Sequence, residues 1–423
     1  MRRALWGLLV LLAATMLPAG GGAAGATVSL TFAFSVEYGG GTGAIGSPAA
    51  LCETGTDGLN LRRLSDRIGS LSDPAWAPAG SKLAFAAYDP ATHRYSIQVT
   101  PASSWHPVVV ARSTARLAHP SWSPDAARLA YASTSSNAPG IYAVKDDGTR
   151  NGRLYAGAAS TPSWSPDGST IVFAANGIRL MDADGRNVHT ISADGVEPAW
   201  SSDGKRIAFV ANVSQFGSQD VFTVSTDGSG RTQLSHLSPS PTGGFTYVGV
   251  PAWSPDGSTI AALHTVEHPT GKGSYYERDL VLLDPSTGTA SSVKLPLAFG
   301  DPAWRATPPP STTEAARRPC AILAGDGGVR VKGTAYDDLI VTGAGNDAID
   351  AGSGNDWVEA GAGDDRIVGG PGRDEIWSGP GNDRELVRDG ARDIVHCGDF
   401  PRDVVEADRA DAVLGRCKRI ERH

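Results

Sequence analysis

The chain has 423 residues, and only 19% of them are charged. Its 52 glycines and 28 prolines favour short strands and turns over long helices, and its length indicates more than one domain. The formal net charge of -8 is unevenly placed, because residues 320–423 contain 21 acidic and 13 basic residues and the earlier residues are balanced. This excess argues against nucleic acid as a partner and favours a bound cation.

The N-terminus has the pattern of a secretory signal peptide. Arg2 and Arg3 form a basic region, residues 4–17 are apolar, and residues 24–26 fit a small-residue cleavage site. The apolar stretch is short for a bilayer span, and a buried strand or a membrane anchor fits the flanks less well. We therefore expect residues 1–26 to be removed, and a secreted bacterial protein that is extracellular, periplasmic or on the cell surface, without a membrane span.

Four cysteines in an exported chain permit two disulfides and three connectivities. Cys397–Cys417 closes a short loop and is the favoured pair, which would add about 3 kcal/mol by restricting the unfolded chain. Cys52–Cys320 is then the remaining pair. The sequence has no Cys-x-x-Cys motif, so zinc or thioredoxin-like chemistry has no support.

A tryptophan-containing unit recurs through the middle of the chain. Its copies are PAWAPAGSKLAF (74–85), PSWSPDAARLAY (120–131), PSWSPDGSTIVF (162–173), PAWSSDGKRIAF (198–209), PAWSPDGSTIAA (251–262) and a truncated PAWR (302–305). Proline opens a strand, tryptophan is a large apolar plug, Ser-Pro-Asp-Gly is a tight turn, and the last residues form a buried strand. The unit length favours four-stranded propeller blades.

The unit resembles the repeat of TolB-like (PD40) β-propellers over residues 27–305. The truncated copy supplies one inner strand, and residues 29–35 and 50–65 resemble the strands that would complete it. The two ends of this region are therefore expected to share a blade, which removes two open sheet edges. The prediction is an all-β chain that begins with a six-bladed β-propeller.

A nine-residue period follows the polar, Pro-rich linker at 306–319. Its aspartates are Asp338, Asp347, Asp356, Asp365, Asp374 and Asp383. The glycine-rich units resemble the RTX, or haemolysin-type, calcium-binding repeat, which implies a C-terminal parallel β-roll over residues 320–391. The resemblance also implies that alternate turns stack and hold Ca²⁺ between the pairs 338/356, 347/365, 356/374 and 365/383, with backbone carbonyls as further ligands.

An acidic, glycine-rich disordered tail is the alternative interpretation of this region. Residues 337–383 contain 11 acidic and 2 basic residues, so folding should be coupled to calcium binding. The strict period and the apolar eighth position of each unit favour the roll. Glu385 interrupts that position, and residues 392–423, with Asp393 and Asp403, are predicted to be degenerate repeats in a disulfide-tied C-terminal cap.

The sequence gives no local enzyme motif. It has no Gly-x-Ser-x-Gly, and HTVEH (264–268) is not a zinc-binding HExxH. Two long loops carry aromatic residues that are candidates for a ligand site, namely Phe245, Tyr247, Tyr275 and Tyr276. We expect a secreted calcium-binding protein whose propeller binds a protein or a cell-surface glycan. An extracellular propeller hydrolase or lyase acting on glycans or peptides, and a purely structural surface protein, remain as alternatives.

Overall fold

A computed structural model of the chain describes residues 31–37, 49–55, 62–65, 70–213, 218–237, 245–270, 273–293, 299–305, 322–323, 327–397, 402–415 and 417–422. The regular structure in these ranges is β-strand throughout. Within them, no helix is long and apolar enough to span a membrane. The predicted signal peptide, the linker at 306–319 and Cys320 lie outside the described residues.

The strands of residues 31–305 form antiparallel sheets. The first three strands are β1 (Thr31–Glu37), β2 (Ala49–Gly55) and β3 (Arg62–Arg63). Four sheets of four consecutive strands follow: β4 (Ser70–Trp76), β5 (Lys82–Asp89), β6 (Arg94–Pro101) and β7 (Val108–Ser113); β8 (Leu117–Trp122), β9 (Arg128–Ser133), β10 (Gly140–Lys145) and β11 (Gly152–Ala156); β12 (Ser160–Trp164), β13 (Thr170–Ala174), β14 (Ile178–Asp182) and β15 (His189–Ser192); and β16 (Val196–Trp200), β17 (Arg206–Asn212), β18 (Gln219–Ser225) and β19 (Thr232–Gln233). A five-stranded sheet contains β20 (Thr246–Val248), β21 (Ala252–Trp253), β22 (Ile260–Thr270), β23 (Gly273–Leu283) and β24 (Ala290–Val293), and β25 (Phe299–Arg305) is the last strand of this region.

The ends of the propeller region meet in one further sheet. Its strand order is β25-β1-β2-β3, and Trp304 of β25 lies opposite Phe32 of β1. This confirms the pairing that the sequence predicts between the last copy of the repeat and the first strands. The structure therefore has five blades of consecutive strands where six blades are predicted, and the additional sheet differs from them because it combines strands from both ends.

Each tight turn of the propeller repeat fixes the start of a buried strand. In the third blade, the Ser165 hydroxyl donates to Asp167 Oδ1 at 2.6 Å and accepts the amide of Thr170 at 3.0 Å. Gly168 has a φ of 72°, which favours glycine at this turn. The strand that follows contributes Phe173, which is fully buried.

The repeat tryptophans whose side chains the structure describes lie between neighbouring blades, as the sequence predicts. Trp200 belongs to a core cluster that also contains Val172 of the preceding blade and Phe209 of its own blade. Trp122 Nε1 donates to the carbonyl of Ala75 in the preceding blade at 3.0 Å. Burial of such a side chain contributes roughly 1.5–3 kcal/mol, so these residues are accounted for by packing.

The C-terminal region is a parallel β-solenoid of two six-stranded sheets. One sheet contains β26 (Ile322–Leu323), β28 (Leu339–Val341), β30 (Trp357–Glu359), β32 (Glu375–Gly379), β34 (Ile394–Cys397) and β36 (Ala412–Leu414). The other contains β27 (Arg330–Lys332), β29 (Ala348–Asp350), β31 (Arg366–Val368), β33 (Arg384–Val387), β35 (Val404–Ala407) and β37 (Arg419–Arg422). Successive strands alternate between the sheets, so units two apart lie side by side, as the RTX resemblance implies.

The apolar eighth positions form the core of the solenoid. Ile340, Val358 and Ile376 are in register in one sheet, and Ile349 is in register with Ile367 in the other. All five side chains are at most 2% exposed. The strict period therefore produces a narrow apolar core between the two sheets, which excludes the disordered-tail interpretation for these residues.

The residues predicted to form a cap also belong to the solenoid. Strands β34 to β37 extend both sheets, and the predicted disulfide Cys397–Cys417 is present, with a Cα–Cα distance of 5.6 Å. Cys320 lies outside the described residues, so the pair Cys52–Cys320 stays a prediction.

Candidate metal centre

Buried aspartates form two files along the solenoid, and each of them directly precedes a strand. The first file is Asp338, Asp356, Asp374, Asp393 and Asp411, and the second file is Asp347, Asp365, Asp383 and Asp403. All nine side chains are at most 5% exposed. The structure thus brings together the six predicted aspartates and adds Asp393, Asp403 and Asp411. Asp393 and Asp403 follow longer, irregular units, which weakened their signal in the sequence.

Hydrogen bonds join successive members of each file. The amide of Asp338 donates to Asp356 Oδ1 at 2.7 Å, and the amide of Asp356 donates to Asp374 Oδ1 at 2.9 Å. In the second file, the amides of Asp347 and Asp365 donate to Oδ1 of the next aspartate at 2.8 and 2.9 Å. The four pairs predicted from the sequence are therefore direct neighbours.

The other carboxylate oxygen, Oδ2, accepts no hydrogen bond from the described residues in the middle of the files. Among the described residues, no hydrogen-bond partner reaches the buried Oδ2 atoms of Asp347, Asp356, Asp365, Asp374, Asp383 and Asp393. A buried acceptor without a partner costs about 1–3 kcal/mol, and more when it is charged. Asp338 differs, because its Oδ2 accepts hydrogen bonds from the amide and the hydroxyl of Thr334.

Burial raises the pKa of these carboxyl groups. It raises the pKa of Asp356 to about 8 and of Asp365 to about 6. Neighbouring carboxylates raise the pKa further, and the amide bonded to Oδ1 acts in the opposite direction. Burial likewise raises the pKa of Asp374, Asp383 and Asp393 to about 7 each. The files therefore need either protons or a cation to balance their charge.

The turns that carry the aspartates stack with no space for most side chains. Gly361 and Gly370 have φ values of 86° and 93°, and a Cβ at either position would overlap a carbonyl oxygen of the neighbouring turn. The fifth position of each unit adds a second ladder, in which Asn355 Oδ1 accepts the amide of Arg373 at 2.9 Å. This ladder was not predicted, although Asn or Asp recurs at the fifth position.

The propeller contains a cavity of about 300 Å³ lined by the Pro-x-Trp segments of several blades. The residue before the proline has a left-handed φ in four blades: Asp73 (51°), His119 (51°), Thr161 (47°) and Glu197 (57°). The amide of His119 donates to Asp73 Oδ2 at 3.2 Å and so connects two adjacent blades. Asp73, His119 and Thr161 line the cavity, and no local motif in the sequence indicated them.

The predicted aromatic ligand residues lie elsewhere. Phe245 and Tyr247 are 37% and 42% exposed, with ring centroids 6.5 Å apart. Neither of them is among the described residues that line the cavity. Tyr275 and Tyr276 are on β23, opposite His268 and Glu267 of β22, and their side chains lie outside the described part of the chain.

Two family models match the sequence. The model of the TolB β-propeller domain (PD40) matches residues 40–177, and the model of the RTX calcium-binding nonapeptide repeat matches residues 324–358 and 350–385. The chain combines a TolB-type β-propeller with RTX calcium-binding repeats. A comparison with curated protein sequences finds no match.

Solved structures support the propeller fold alone. TolB from Acinetobacter baumannii is 19% identical, with a TM-score of 0.52 over 65% of this chain and 66% of that chain. Hydrazine synthase from Kuenenia stuttgartiensis is 13% identical, with a TM-score of 0.50 over 67% of this chain and 47% of that chain. The chain thus spans less than two thirds of the length of either protein.

The side chains of the RTX solenoid fit calcium. Calcium takes six to eight oxygen ligands and tolerates irregular geometry. The gap between Asp356 and Asp374, for example, offers two buried carboxylates, and Oδ2 of neither has a hydrogen-bond partner among the described residues. The files contain only hard oxygen donors, which suit calcium better than a thiophilic metal.

Glu385 departs from the RTX pattern. It stands at the apolar eighth position of the sixth unit, in register between Ile367 and Val405, and it is fully buried. Burial raises its pKa to about 8, and the nearby Ser378 hydroxyl acts in the opposite direction without forming a well-aligned hydrogen bond to either carboxylate oxygen. The sequence identified this position as an interruption but gave it no role.

Proposed function

We propose that this protein is a secreted calcium-binding protein whose RTX solenoid binds Ca²⁺ between stacked turns and folds on export. The observation that carries the proposal is the row of buried Oδ2 atoms without hydrogen-bond partners, at the same place in successive described turns. A divalent cation would neutralise these carboxylates and replace the protons that burial otherwise favours.

The two carboxylate oxygens have different roles in each space between successive aspartates of a file. Oδ1 accepts the amide of the preceding aspartate and so fixes the carboxylate, which leaves Oδ2 to bind the ion. The predicted ligands are Asp338, Asp347, Asp356, Asp365, Asp374 and Asp383, to which we add Asp393. Asp338 should contribute least, since Thr334 already donates to its Oδ2.

Export from the cell would start calcium binding and folding of the solenoid. Calcium is scarce in the cytoplasm and abundant outside the cell, so the charged solenoid would stay unfolded until it leaves. The signal-peptide pattern of residues 1–26 and the Cys397–Cys417 disulfide support an oxidising destination. We take residues 27–305 as the propeller, 306–319 as the linker, 320–391 as the β-roll and 392–423 as its disulfide-tied end.

We assign the propeller the role of an interaction platform for a protein or a cell-surface glycan. The two exposed aromatic rings of Phe245 and Tyr247 support this role, because such rings supply much of the contact area in recognition surfaces. The sheet β25-β1-β2-β3, which pairs strands from both ends of this region, would hold the propeller closed while the face binds its partner.

A second candidate function is an extracellular propeller hydrolase or lyase acting on glycans or peptides. The observation in its favour is the cavity in which a carboxylate, Asp73, and an imidazole, His119, come from adjacent blades. Asp73→Asn should then abolish turnover of a glycan or peptide panel. Asp167→Asn, at a surface turn, should not change it. Equal activity of the two variants, or no turnover by the parent protein, would reject the enzyme.

The calcium proposal is tested by titrating the full mature chain with CaCl₂, followed by circular dichroism and calorimetry. The parent should gain β-structure and bind several ions, and a double variant, Asp356→Ala with Asp365→Ala, should bind fewer and order less. Asp350→Ala is the matched control, because Asp350 is exposed on β29. If the parent binds no calcium at millimolar concentration, the central proposal is wrong.

A further inference from the structure

We propose that Glu385 is an additional cation ligand, which binds a divalent ion together with Asp403 from inside the solenoid. The inference rests on the calcium-binding function proposed above, and it concerns a position that the RTX repeat reserves for an apolar side chain. It would extend the ion sites into the end of the solenoid where the nine-residue period breaks down.

The first observation is the burial of Glu385 with only partial compensation, because the neutral hydroxyl of Ser378 is the donor close to it. Its side chain is fully buried, its strand neighbours at the same register are Ile367 and Val405, and neither oxygen has a hydrogen-bond partner in the part of the chain that the structure describes. An ionised carboxylate is very costly in such a place unless a cation or a donor accompanies it. Packing alone would favour an aliphatic residue here.

The second observation is the position of Asp403. One oxygen of Glu385 and one of Asp403 lie within 4.8 Å of each other, and both side chains are buried. Calcium binds oxygens at about 2.3–2.6 Å, so two oxygens at this separation can bind one ion on opposite sides. The separation is therefore compatible with one ion shared by the two carboxylates.

Asp383 provides a third carboxylate nearby. It lies two residues before Glu385, and its Oδ2 has no hydrogen-bond partner among the described residues. Its amide donates to Asp403 Oδ1 at 3.1 Å, across a separation of 20 residues, whereas successive aspartates earlier in the second file are 18 apart. The longer unit makes the space between Asp383 and Asp403 different from those of the regular repeats, and a carboxylate oxygen of Glu385 lies within 4.8 Å of one of Asp403.

The disulfide indicates which class of cation would bind. Cys397 Sγ lies within 4.8 Å of the Glu385 and Asp403 oxygens, but it is bonded to Cys417. A disulfide sulfur carries no thiolate charge and is a poor metal ligand. The available donors are therefore carboxylate oxygens, which select a hard cation such as calcium over zinc.

The test is the calcium stoichiometry of the full chain with its disulfide intact, measured by calorimetry with CaCl₂. Glu385→Gln keeps the shape of the side chain and removes its charge, and Glu385→Leu restores the apolar residue of the repeat. Both variants should bind one ion fewer than the parent, with the remaining affinities unchanged. Glu385→Leu should also resist urea better than the parent in EDTA, because it removes a buried carboxylate. Ile376→Leu, at the same position of the preceding unit, is the control and should keep the parent stoichiometry.

The outcomes separate the two proposals. If the parent binds calcium and both Glu385 variants bind the same number of ions with the same affinity, Glu385 is not a ligand and only this inference fails. If Glu385→Leu alone keeps the ion, an oxygen at this position is not needed and the inference fails as well. If the parent binds no calcium, the proposed function fails and this inference fails with it.

Discussion

Asp356 should contribute about twice as much calcium-dependent stability as Asp338. Asp356 lies in the middle of the first file, where its amide and its Oδ1 connect it to both neighbouring aspartates. It therefore borders two gaps, 338/356 and 356/374. Asp338 is the first aspartate of that file and borders one gap, and Thr334 already donates to its Oδ2. The substitution to test is Asp→Asn, which keeps the Oδ1 acceptor and removes the charge.

The magnitude follows from linkage. An ion at a free concentration of 100 times its Kd stabilises the folded state by about 2.7 kcal/mol. Asp356→Asn should therefore lose up to about 5 kcal/mol of calcium-dependent stabilisation, the sum for two ions, and Asp338→Asn should lose at most about 2.7 kcal/mol. In EDTA, Asp356→Asn should be no less stable than the parent, because burial already raises the pKa of Asp356 to about 8.

Differential scanning calorimetry of the full chain, in EDTA and in CaCl₂, measures both effects on the calcium-sensitive transition. Asp350→Asn, an exposed substitution on β29, controls for the loss of one negative charge. Equal losses for Asp356→Asn and Asp338→Asn would refute the reasoning that interior aspartates serve two gaps. A calcium response of Asp356→Asn equal to that of the parent would show that Asp356 binds no ion.

Three further predictions concern pH, the disulfide and the propeller core. Burial raises the folded-state pKa of Asp356 to about 8 and of Asp374 to about 7, from the ordinary aspartate value of 3.8. The calcium-free solenoid should therefore lose stability as the pH rises from about 4 to about 8, and its calcium affinity should rise between about pH 6 and 8; a calorimetric affinity that is constant over this range contradicts the prediction. Replacing both Cys397 and Cys417 by Ser should destabilise the solenoid by about 3 kcal/mol, because the bridge closes a loop with a separation of 20 residues; an unchanged urea midpoint in CaCl₂ would be inconsistent with this. Phe209→Ala, at a fully buried position, should lower the unfolding free energy of the propeller by about 3–5 kcal/mol and leave the calcium stoichiometry unchanged; altered calcium binding would show that the two parts are coupled.

Local sequence determined the repeating units and their turns. The Ser-Pro-Asp-Gly segments encode their own hydrogen bonds, such as that from Ser165 to Asp167, and the turn needs nothing from the rest of the chain. The nine-residue period with an apolar eighth position likewise specified the solenoid core, because each unit repeats the same register. The pairing of β25 with β1 was also predictable, since each end lacked the strands that the other supplied.

Only the tertiary structure decided how the aspartates are satisfied. The RTX resemblance implied that Asp356 and Asp374 are neighbours, but the sequence could not show that Oδ1 accepts an amide and that Oδ2 has no hydrogen-bond partner among the described residues. Those facts depend on the distance between stacked turns. The same is true of the propeller cavity, where Asp73 and His119 are separated by 46 positions in the sequence and meet because two blades are adjacent.

Glu385 shows this division most clearly. In the sequence it is a single charged residue at the apolar eighth position of the repeat, and a charged residue at a surface position would need no partner. The solenoid encloses the side chain completely and places it within 4.8 Å of Asp403. Periodicity determined which residues face inward, because each strand repeats the register of its neighbour. Which of the inward groups share one site was decided by the stacking of turns that are 20 residues apart.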